Sequence, residues 1–292
     1  MNADVLRSTM PCRPLFWRKL ENTFVQGCSM LALALTIGAM VWILWSILEQ
    51  GSGALSWGFL THPSKPYGVP NAGIANAFLG TLMITLGATA IAVPLALAAG
   101  IGLAEFGGDG RFCRFLRFCA NIQMGMPSII VGLFTYMLLV VPMKGFSGLA
   151  GSVALALIMF PVITRTTEEM LRMVPDALRE AGLALGFTRS RVTLQMICRA
   201  AKNGLVTGIL LAVARVSGET APLLFTALFA DAWPKQYFTG PTANIPVLIT
   251  EYATNSPFEA MHQAGWGAAF VITLFVLVLN ITTRLFFRNT QH

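Results

Sequence analysis

The feature that most constrains this chain is a series of long apolar segments that contain almost no charged residues. The first segment, residues 24–48, runs for 25 residues without a charged side chain, and about 20 apolar residues are enough for a helix to cross a bilayer. Charged residues make up only 11% of the chain and hydrophobic residues 55%. This composition excludes a soluble globular domain, in which about 25% of residues are charged, and a disordered chain, which needs low hydrophobicity.

The apolar segments predict an all-α polytopic membrane protein with six transmembrane helices. The segments are residues 24–48, 74–103, 122–141, 149–164, 204–230 and 265–286. The first is too long for the apolar core of a signal peptide, so we interpret it as a retained helix. The chain therefore divides into an N-terminal tail (1–23), a first transmembrane helix (24–48) and a core of five transmembrane helices (74–287).

The distribution of lysine and arginine predicts the orientation of the spans. Of the 20 basic residues, 16 lie in the N-terminal tail, in the connection between the second and third spans, in residues 165–203 and at the C-terminal end. Because short loops rich in Lys and Arg stay on the cytoplasmic side, both termini are predicted to be cytoplasmic. Glu105, at the cytoplasmic end of the second span, is interpreted as an interfacial charge. Two long outer loops remain, residues 50–73 and 231–264, and they form either a docking surface for a partner or plain connections.

The sequence contains no motif typical of catalysis. The dipeptide Gly-Lys is absent, which excludes a Walker A loop, and neither HExxH nor GxSxG occurs. The five cysteines match no zinc-binding spacing and are interpreted as free thiols. We expect a non-catalytic membrane protein with no cofactor, no metal site and no nucleic-acid partner. Any energy for pumping must come from another subunit or from an ion gradient.

Residues 165–203 are too polar for lipid and too short for a domain. Apolar side chains recur in them at near-helical spacing, at Leu171, Val174, Leu178 and Leu185. Pro175 is expected to open a short helix and Gly186 to end it, since glycine commonly follows the last residue of a helix. An amphipathic helix of this kind is either a binding surface for a cytosolic partner or a helix that lies on the bilayer.

The fifth span contains two charged residues, Arg215 and Glu219, among 27 residues that are otherwise uncharged. A charge at the bilayer centre costs about 2.5–3.5 kcal/mol on insertion scales. The two are four residues apart, so they share a helix face and can pair. Pro222 lacks an N–H and clashes with the carbonyl of Gly218, which predicts a bend or break at 218–222. Either the two residues only neutralise each other's charge, or they form part of a pathway through the membrane.

One part of residues 165–203 resembles the EAA loop of ABC importer permeases. Glu180, Ala181 and Gly186 match that motif. Gly182 replaces its second alanine, and Met196, Cys198 and Arg199 stand where the motif has Ile, Leu and Pro.

Three further runs resemble the PstA-type permease of phosphate importers. They are GMPSIIVGLF at 125–134, ITRTTEE at 163–169 and ARVSGETAPLLFTA at 214–227. The resemblance covers about residues 73–287 and implies the MetI-like fold of type I ABC importers. It also implies a place in the bacterial inner membrane beside a PstC-type permease. Two PstB-type ATPase subunits would bind on the cytoplasmic side, and a PstS-type phosphate-binding protein would dock outside.

The resemblance also implies roles for individual residues. Glu180, Ala181 and Gly186 would belong to the coupling helix that docks on the ATPase. The phosphate pathway of the family uses arginines that match Arg165 and Arg215. Glu219 would hold Arg215 in place and limit how tightly it binds, because a pathway must also release its cargo. From its position alone, Arg165 is equally an interfacial arginine that extends to the headgroups.

Other functions are compatible with the same residues. The cargo is phosphate or another oxyanion, since the Arg215–Glu219 pair does not distinguish them. A membrane subunit that signals transporter state to a cytosolic regulator is a second possibility, and it is compatible with transport. A secondary transporter is a third, although Glu219 is the only acidic residue well inside a span. Gly125, Pro127 and Ser128 lie in the third span. Either the helix opens there, at the narrowest part of a translocation pore, or it is a kinked helix that only packs against its neighbours.

Overall fold

The computed structural model describes residues 15–108 and 110–288, and all regular structure within them is helical. The chain divides into two compact units, one up to Glu49 and one from Gln50 onward. Helix α1 (Leu15–Ser52) begins inside the predicted N-terminal tail. The rest of that tail, residues 1–14, lies outside the described residues. The large apolar side chains of α1 are exposed, as expected for a helix that lies in lipid.

Four helices of the described residues are long and apolar enough to cross a membrane. They are α1, α3 (Ala75–Ile101, extended by a π-helical turn Gly102–Phe106), α7 (Gly148–Arg172) and α14 (Glu259–Arg288). Two more spans are formed by bent helix pairs, Arg111–Gly125 with Ser128–Met143 and Arg189–Ala200 with Lys202–Val216. Counting each bent pair as one span gives the predicted number of six. A short helix α2 (Trp57–Thr61) lies between the first two spans.

The third span breaks at Met126. Helix α4 (Arg111–Gly125) ends there, and α5 (Ser128–Thr135) continues at an angle of 103° to it. The residue before a proline is disfavoured in the helical region, and Met126, which precedes Pro127, is extended with ψ 138°. The span then continues through a π-helical turn (Tyr136–Val140) and α6 (Val141–Met143). The predicted span over 122–141 therefore breaks at 126–127, where the sequence predicts an opening or a kink, and its first residues belong to α4.

Helix α7 is longer than the predicted fourth span, 149–164. It continues for two more turns to Arg172 and contains Pro161 in its interior. Proline removes the donor for the carbonyl four residues earlier, here that of Leu157. The side-chain amide of Gln123 on α4 donates to this carbonyl at 2.9 Å. Arg165 therefore lies inside a helix and not directly after one.

Helices α3, α7 and α11 (Lys202–Val216) enclose the largest hydrophobic core. Gly204 and Gly208 of α11 lie against Met170 and Thr166 of α7, so closely that a Cβ at either glycine would overlap the facing side chain. The GxxxG pattern at 204–208 is therefore a close helix contact.

The fifth span opens where Pro222 predicts a break. Helix α11 ends at Val216, and α12 (Ala221–Thr226) starts with Pro222 in its first turn. A Cβ on Gly132 of α5 would lie 2.7 Å from the Cα of Pro222. Gly132 thus allows the opened region to pack directly against the third span.

The residues between the fourth and fifth spans form short helices. They are α8 (Asp176–Ala184), α9 (Arg189–Val192), a π-helical turn (Thr193–Ile197) and α10 (Cys198–Ala200). A separate small core holds them to the end of α7, built from Leu171, Val174, Val192, Ile197 and Ala201.

The two predicted outer loops pack together at the opposite end of the spans. The rings of Tyr67 and Phe258 stack with their centroids 3.7 Å apart. Helix α13 (Ile245–Thr254) lies in the second of these loops, and the Asn244 side chain caps it by accepting from the Val247 N–H at 3.1 Å. The two outer loops therefore contact each other, and the second contains a helix.

Candidate functional site

Arg215 and Glu219 lie together at the break in the fifth span. Arg215 occupies the last turn of α11, and Glu219 lies between α11 and α12. Their closest atoms, Arg215 Nε and Glu219 Oε1, are 3.9 Å apart, and the side chains are 55% and 19% exposed. Among the described residues no hydrogen bond from this guanidinium is found. The pair is loose, and most of the donors of Arg215 remain open to a ligand.

A cavity of about 80 Å³ adjoins this pair. Its other walls come from the junction of α4 with α5 and from one face of α7, namely Gln123, Met124, Met126, Ser128, Val131, Ile158 and Val162. Ser128 is the first residue of α5, and helix N-termini favour anions. The guanidinium fork is also suited to oxyanions. The cavity therefore offers an anion a positive charge, a hydroxyl group and a helix N-terminus, beside the Glu219 carboxylate that competes for Arg215.

Arg165 is held elsewhere on α7, by Glu168. The Glu168 side chain is only 2% exposed and contacts Arg117 Nε at 2.6 Å, Arg165 Nη1 at 2.8 Å and Arg172 Nη2 at 2.9 Å. Arg165 also lies 3.6 Å from Glu169. We call Glu168 and its three arginines the Glu168 cluster. Arg165 is absent from the residues that line the cavity, although its spacing from Val162 puts it on the same face of α7, about one turn further on.

Glu168 was not predicted as a site residue. Its pairing with Arg165 and Arg172 could have been predicted, because these residues are spaced three and four positions from it, as in helical ion pairs. The contact with Arg117 carries no such signal because it joins residues 51 positions apart. Arg117 also donates to the carbonyls of Leu103 and Gly108, both at 3.1 Å.

The residues of the EAA loop lie on α8 and directly after it. Glu180 and Ala181 are exposed, and Gly186 has a φ of +80°. The N–H of Gly186 donates to the Leu183 carbonyl, and that of Phe187 donates to the Gly182 carbonyl. These two bonds form a Schellman motif, so the prediction that Gly186 ends this helix is confirmed.

The departure from the EAA pattern at Gly182 has a packing reason. Gly182 is buried, and a Cβ there would lie 2.8 Å from both the Met196 sulfur and Val192 Cγ2. The larger side chains in the second half of the motif therefore fill the space that an alanine methyl would need.

Glu105, interpreted from the sequence as an interfacial charge, is buried within the protein. Its side chain is 5% exposed and accepts from Arg179 of α8, with Nη2–Oε1 at 2.7 Å. The hydrogen bond to Glu105 raises the pKa of Arg179, although burial works in the opposite direction. The charge is tolerated because the helical segment of the second span and α8 meet at this pair.

Comparison with known proteins identifies the family of this chain. Residues 92–291 match the family described as binding-protein-dependent transport system inner membrane component. The phosphate transport system permease protein PstA of Haemophilus influenzae is 44% identical over 276 residues, which are 94% of this chain and 97% of that protein. The PstA protein of Yersinia pestis is 42% identical over 276 residues, 94% of this chain and 93% of that protein.

The fold is also found among solved structures. A chain of the MetNI methionine ABC transporter, in an inward-facing conformation, superposes with a TM-score of 0.62 at 17% identity. The superposition covers 74% of this chain and 95% of that chain. The predicted MetI-like permease fold is therefore confirmed. The chain belongs to the inner membrane components of binding-protein-dependent transport systems and, within them, to the PstA-type permeases, which makes it a multi-pass, non-catalytic membrane subunit of an ABC importer.

Proposed function

We propose that this chain forms half of the translocation pathway of an ATP-driven phosphate importer. The observation that carries the proposal is the Arg215 guanidinium, which is 55% exposed at a cavity and only loosely paired with Glu219. An anion pathway needs cations that bind the cargo and also release it. The names of the relatives agree with phosphate as the anion.

The other half of the pathway belongs to a homologous PstC-type permease. Arg215 faces open space in this chain, and a charge in that position needs a polar or protein environment within the membrane. A second permease against this face would close the cavity from the other side. Arg165, one turn further along α7 than Val162, is the next cation that an anion would meet. It reaches the anion only by exchanging its contacts in the Glu168 cluster.

Uptake of labelled phosphate by the assembled complex tests the cargo. The complex contains this chain, the second permease, two PstB-type ATPase subunits and the PstS-type binding protein, reconstituted in proteoliposomes. We expect ATP-dependent uptake of phosphate that an excess of unlabelled sulfate does not suppress. Uptake of sulfate in place of phosphate would show that the cargo is another oxyanion.

Helix α8 is proposed as the coupling helix that docks on an ATPase subunit. Its exposed face carries Glu180 and Ala181, followed by exposed apolar residues Leu183, Leu185 and Phe187. Gly186→Val places a β-branched side chain in a left-handed conformation, which costs about 1–2 kcal/mol and reorients this end of the helix. We expect less ATPase to co-purify with Gly186→Val, and wild-type amounts with Gly186→Asn, because asparagine tolerates that conformation. Equal amounts in both variants would contradict the proposed docking role.

The orientation proposed from the basic residues has both termini in the cytoplasm. Single cysteines placed in residues 50–73 or 231–262 should react with a membrane-impermeant thiol reagent added outside intact cells. Cysteines placed in 165–203 should react only after the membrane has been opened. Labelling of residues 165–203 from outside would reverse the orientation.

A further inference from the structure

The end of the second span is bound to the coupling helix by one arginine. Arg179 of α8 donates to Glu105 from Nη2 at 2.7 Å and from Nε at 3.2 Å. The same guanidinium donates to the Leu171 and Val174 carbonyls at the end of α7, at 2.7 and 2.6 Å. Arg179 therefore joins three elements: α7, which precedes the coupling helix in the chain, the coupling helix itself, and the second span, which is 74 residues away.

A second contact holds the same end of the span. Arg189, the first residue of α9, donates from Nη2 to the backbone carbonyl of Glu105. Its guanidinium also lies 5.4 Å from the centre of the Phe106 ring. Arg179 on the coupling helix and Arg189 after it thus hold Glu105 and Phe106, which lie in a π-helical turn. Such turns occur often at functional sites.

The outer end of the second span is bound to the outer loops in a similar way. The Asn76 side chain accepts from the Ser64 N–H at 2.8 Å and donates to the Asp231 carbonyl at 3.0 Å. Thr81 Oγ1 accepts from the Ile245 N–H at 2.8 Å. Each bond joins the span to one of the two outer loops, so a displacement of the span changes the position of both.

We propose that the Glu105–Arg179 ion pair makes the second span the element that carries motion between the coupling helix and the outer loops. This inference rests on the proposed docking of the ATPase on α8. When the ATPase displaces that helix, the ion pair pulls the end of the second span with it. Glu105 and Arg179 are positioning residues in this scheme, since neither of them contacts the cargo.

The Glu105→Gln substitution separates this role from docking. Glutamine keeps the size and one acceptor oxygen but loses the charge that grips the guanidinium. Arg179 keeps its bonds to the carbonyls at the end of α7 and to Asp176. The coupling helix therefore stays in place while its hold on the second span weakens.

A matched control comes from the other carboxylate on Arg179. Asp176 Oδ1 accepts from Nη1 at 3.0 Å, but the Asp176 side chain is 88% exposed and lies on the coupling helix itself. Asp176→Asn removes the same kind of charge from the same arginine without touching the second span. It should therefore leave the transmission of motion unchanged.

The experiment measures a response of the outer loops to ATP. Ala232→Cys is introduced into the assembled complex after the native cysteines have been replaced by alanine. Its rate of thiol labelling is compared without nucleotide and with ATP plus vanadate, which traps ADP in the ATPase after hydrolysis. Allosteric coupling typically amounts to about 5–150-fold, so we expect Glu105→Gln to reduce the ATP-induced rate change at least about fivefold. The amount of ATPase bound should not change, and Asp176→Asn should behave as the wild type.

Three outcomes would overturn the inference. They are a full ATP response in Glu105→Gln, no ATP response in the wild type, and a restored response in the Glu105→Gln/Arg179→Gln double variant. The last would mean that the two charges only neutralise each other, and this variant leaves no unpaired buried charge that prevents assembly. Labelling does not depend on the cargo, so a failure of phosphate uptake would refute the proposed function and leave this test intact.

Discussion

Glu168 and Glu219 are both carboxylates that pair with arginines at helical spacing, yet their surroundings are opposite. Glu168 is 2% exposed and contacts three arginines at 2.6–2.9 Å. Glu219 is 19% exposed and contacts one arginine at 3.9 Å. A buried charge must be fully paired, because leaving it unpaired is strongly unfavourable. The Arg215–Glu219 pair is loose and partly exposed, so Arg215 can exchange its partner for a ligand more readily.

This difference in burial and pairing suits Glu168 to a structural role and leaves Arg215, the partner of Glu219, available to the cargo. The Glu168 cluster joins α7 to α4, and through Arg117 also to the carbonyls at the end of the second span. The Arg215–Glu219 pair lies where the fifth span opens, beside a cavity. On these grounds we propose that the Glu168 cluster holds the permease together and that the Arg215–Glu219 pair contacts the anion.

Glu168→Gln is expected to have the largest effect on stability. It removes the charge that balances three arginines, and removing one partner of a buried ion pair costs about 3–5 kcal/mol. Thermal unfolding of the purified complex and the yield of assembled protein are the measurements. Glu169→Gln is the control, since Glu169 is 59% exposed and lies 3.6 Å from the same Arg165. Equal stability of Glu168→Gln and Glu169→Gln would contradict the structural role of the Glu168 cluster.

Arg165→Gln is expected to have a smaller effect on stability and tests which site Arg165 serves. It removes one hydrogen bond to a buried carboxylate, worth about 1.5–3 kcal/mol. Arg172→Gln removes a similar bond to the same carboxylate, at 2.9 Å, and is the matched comparison. If Arg165 also meets the anion, phosphate uptake per assembled complex falls further in Arg165→Gln than in Arg172→Gln. Equal uptake would assign Arg165 to the Glu168 cluster alone.

Glu219→Gln is expected to have the smallest effect on stability. The Arg215–Glu219 pair is loose, with its closest atoms 3.9 Å apart, so the unfolding temperature and the yield should fall less than in Glu168→Gln. Phosphate uptake should fall without being abolished, because Arg215 then binds the anion without a competing carboxylate and releases it more slowly. A loss of assembly as large as that of Glu168→Gln would show that both carboxylates are structural.

The features that could be predicted from the sequence depend on neighbours in the chain. The Arg215–Glu219 pair, the break before Pro222 and the helix end at Gly186 all follow from spacings of a few residues. The end of the fourth span could not be predicted in the same way. The hydropathy of the sequence shows where a helix leaves the apolar layer but not where the helix itself ends. Helix α7 continues beyond that point to Arg172.

The features that escaped prediction depend on how distant segments pack. Glu168 pairs with Arg117 across 51 residues and Glu105 with Arg179 across 74. The Gln123 side-chain amide donates to the Leu157 carbonyl, which Pro161 leaves without its helical donor, and these two residues are 34 positions apart. No local pattern predicts these pairings, so nothing in the sequence indicated that Glu105 pairs with Arg179.

Uptake of labelled phosphate by the Arg215→Gln/Glu219→Gln double variant decides whether Arg215 is a pathway residue. The Arg215→Gln variant alone should assemble and lose transport, but it also leaves Glu219 unpaired. The double variant removes that unpaired charge and should assemble at least as well. If Arg215 meets the anion, uptake normalised to assembled complex stays lost in the double variant because no cation has returned. Uptake restored toward the wild-type level would contradict the pathway role and leave the pair as mutual neutralisation.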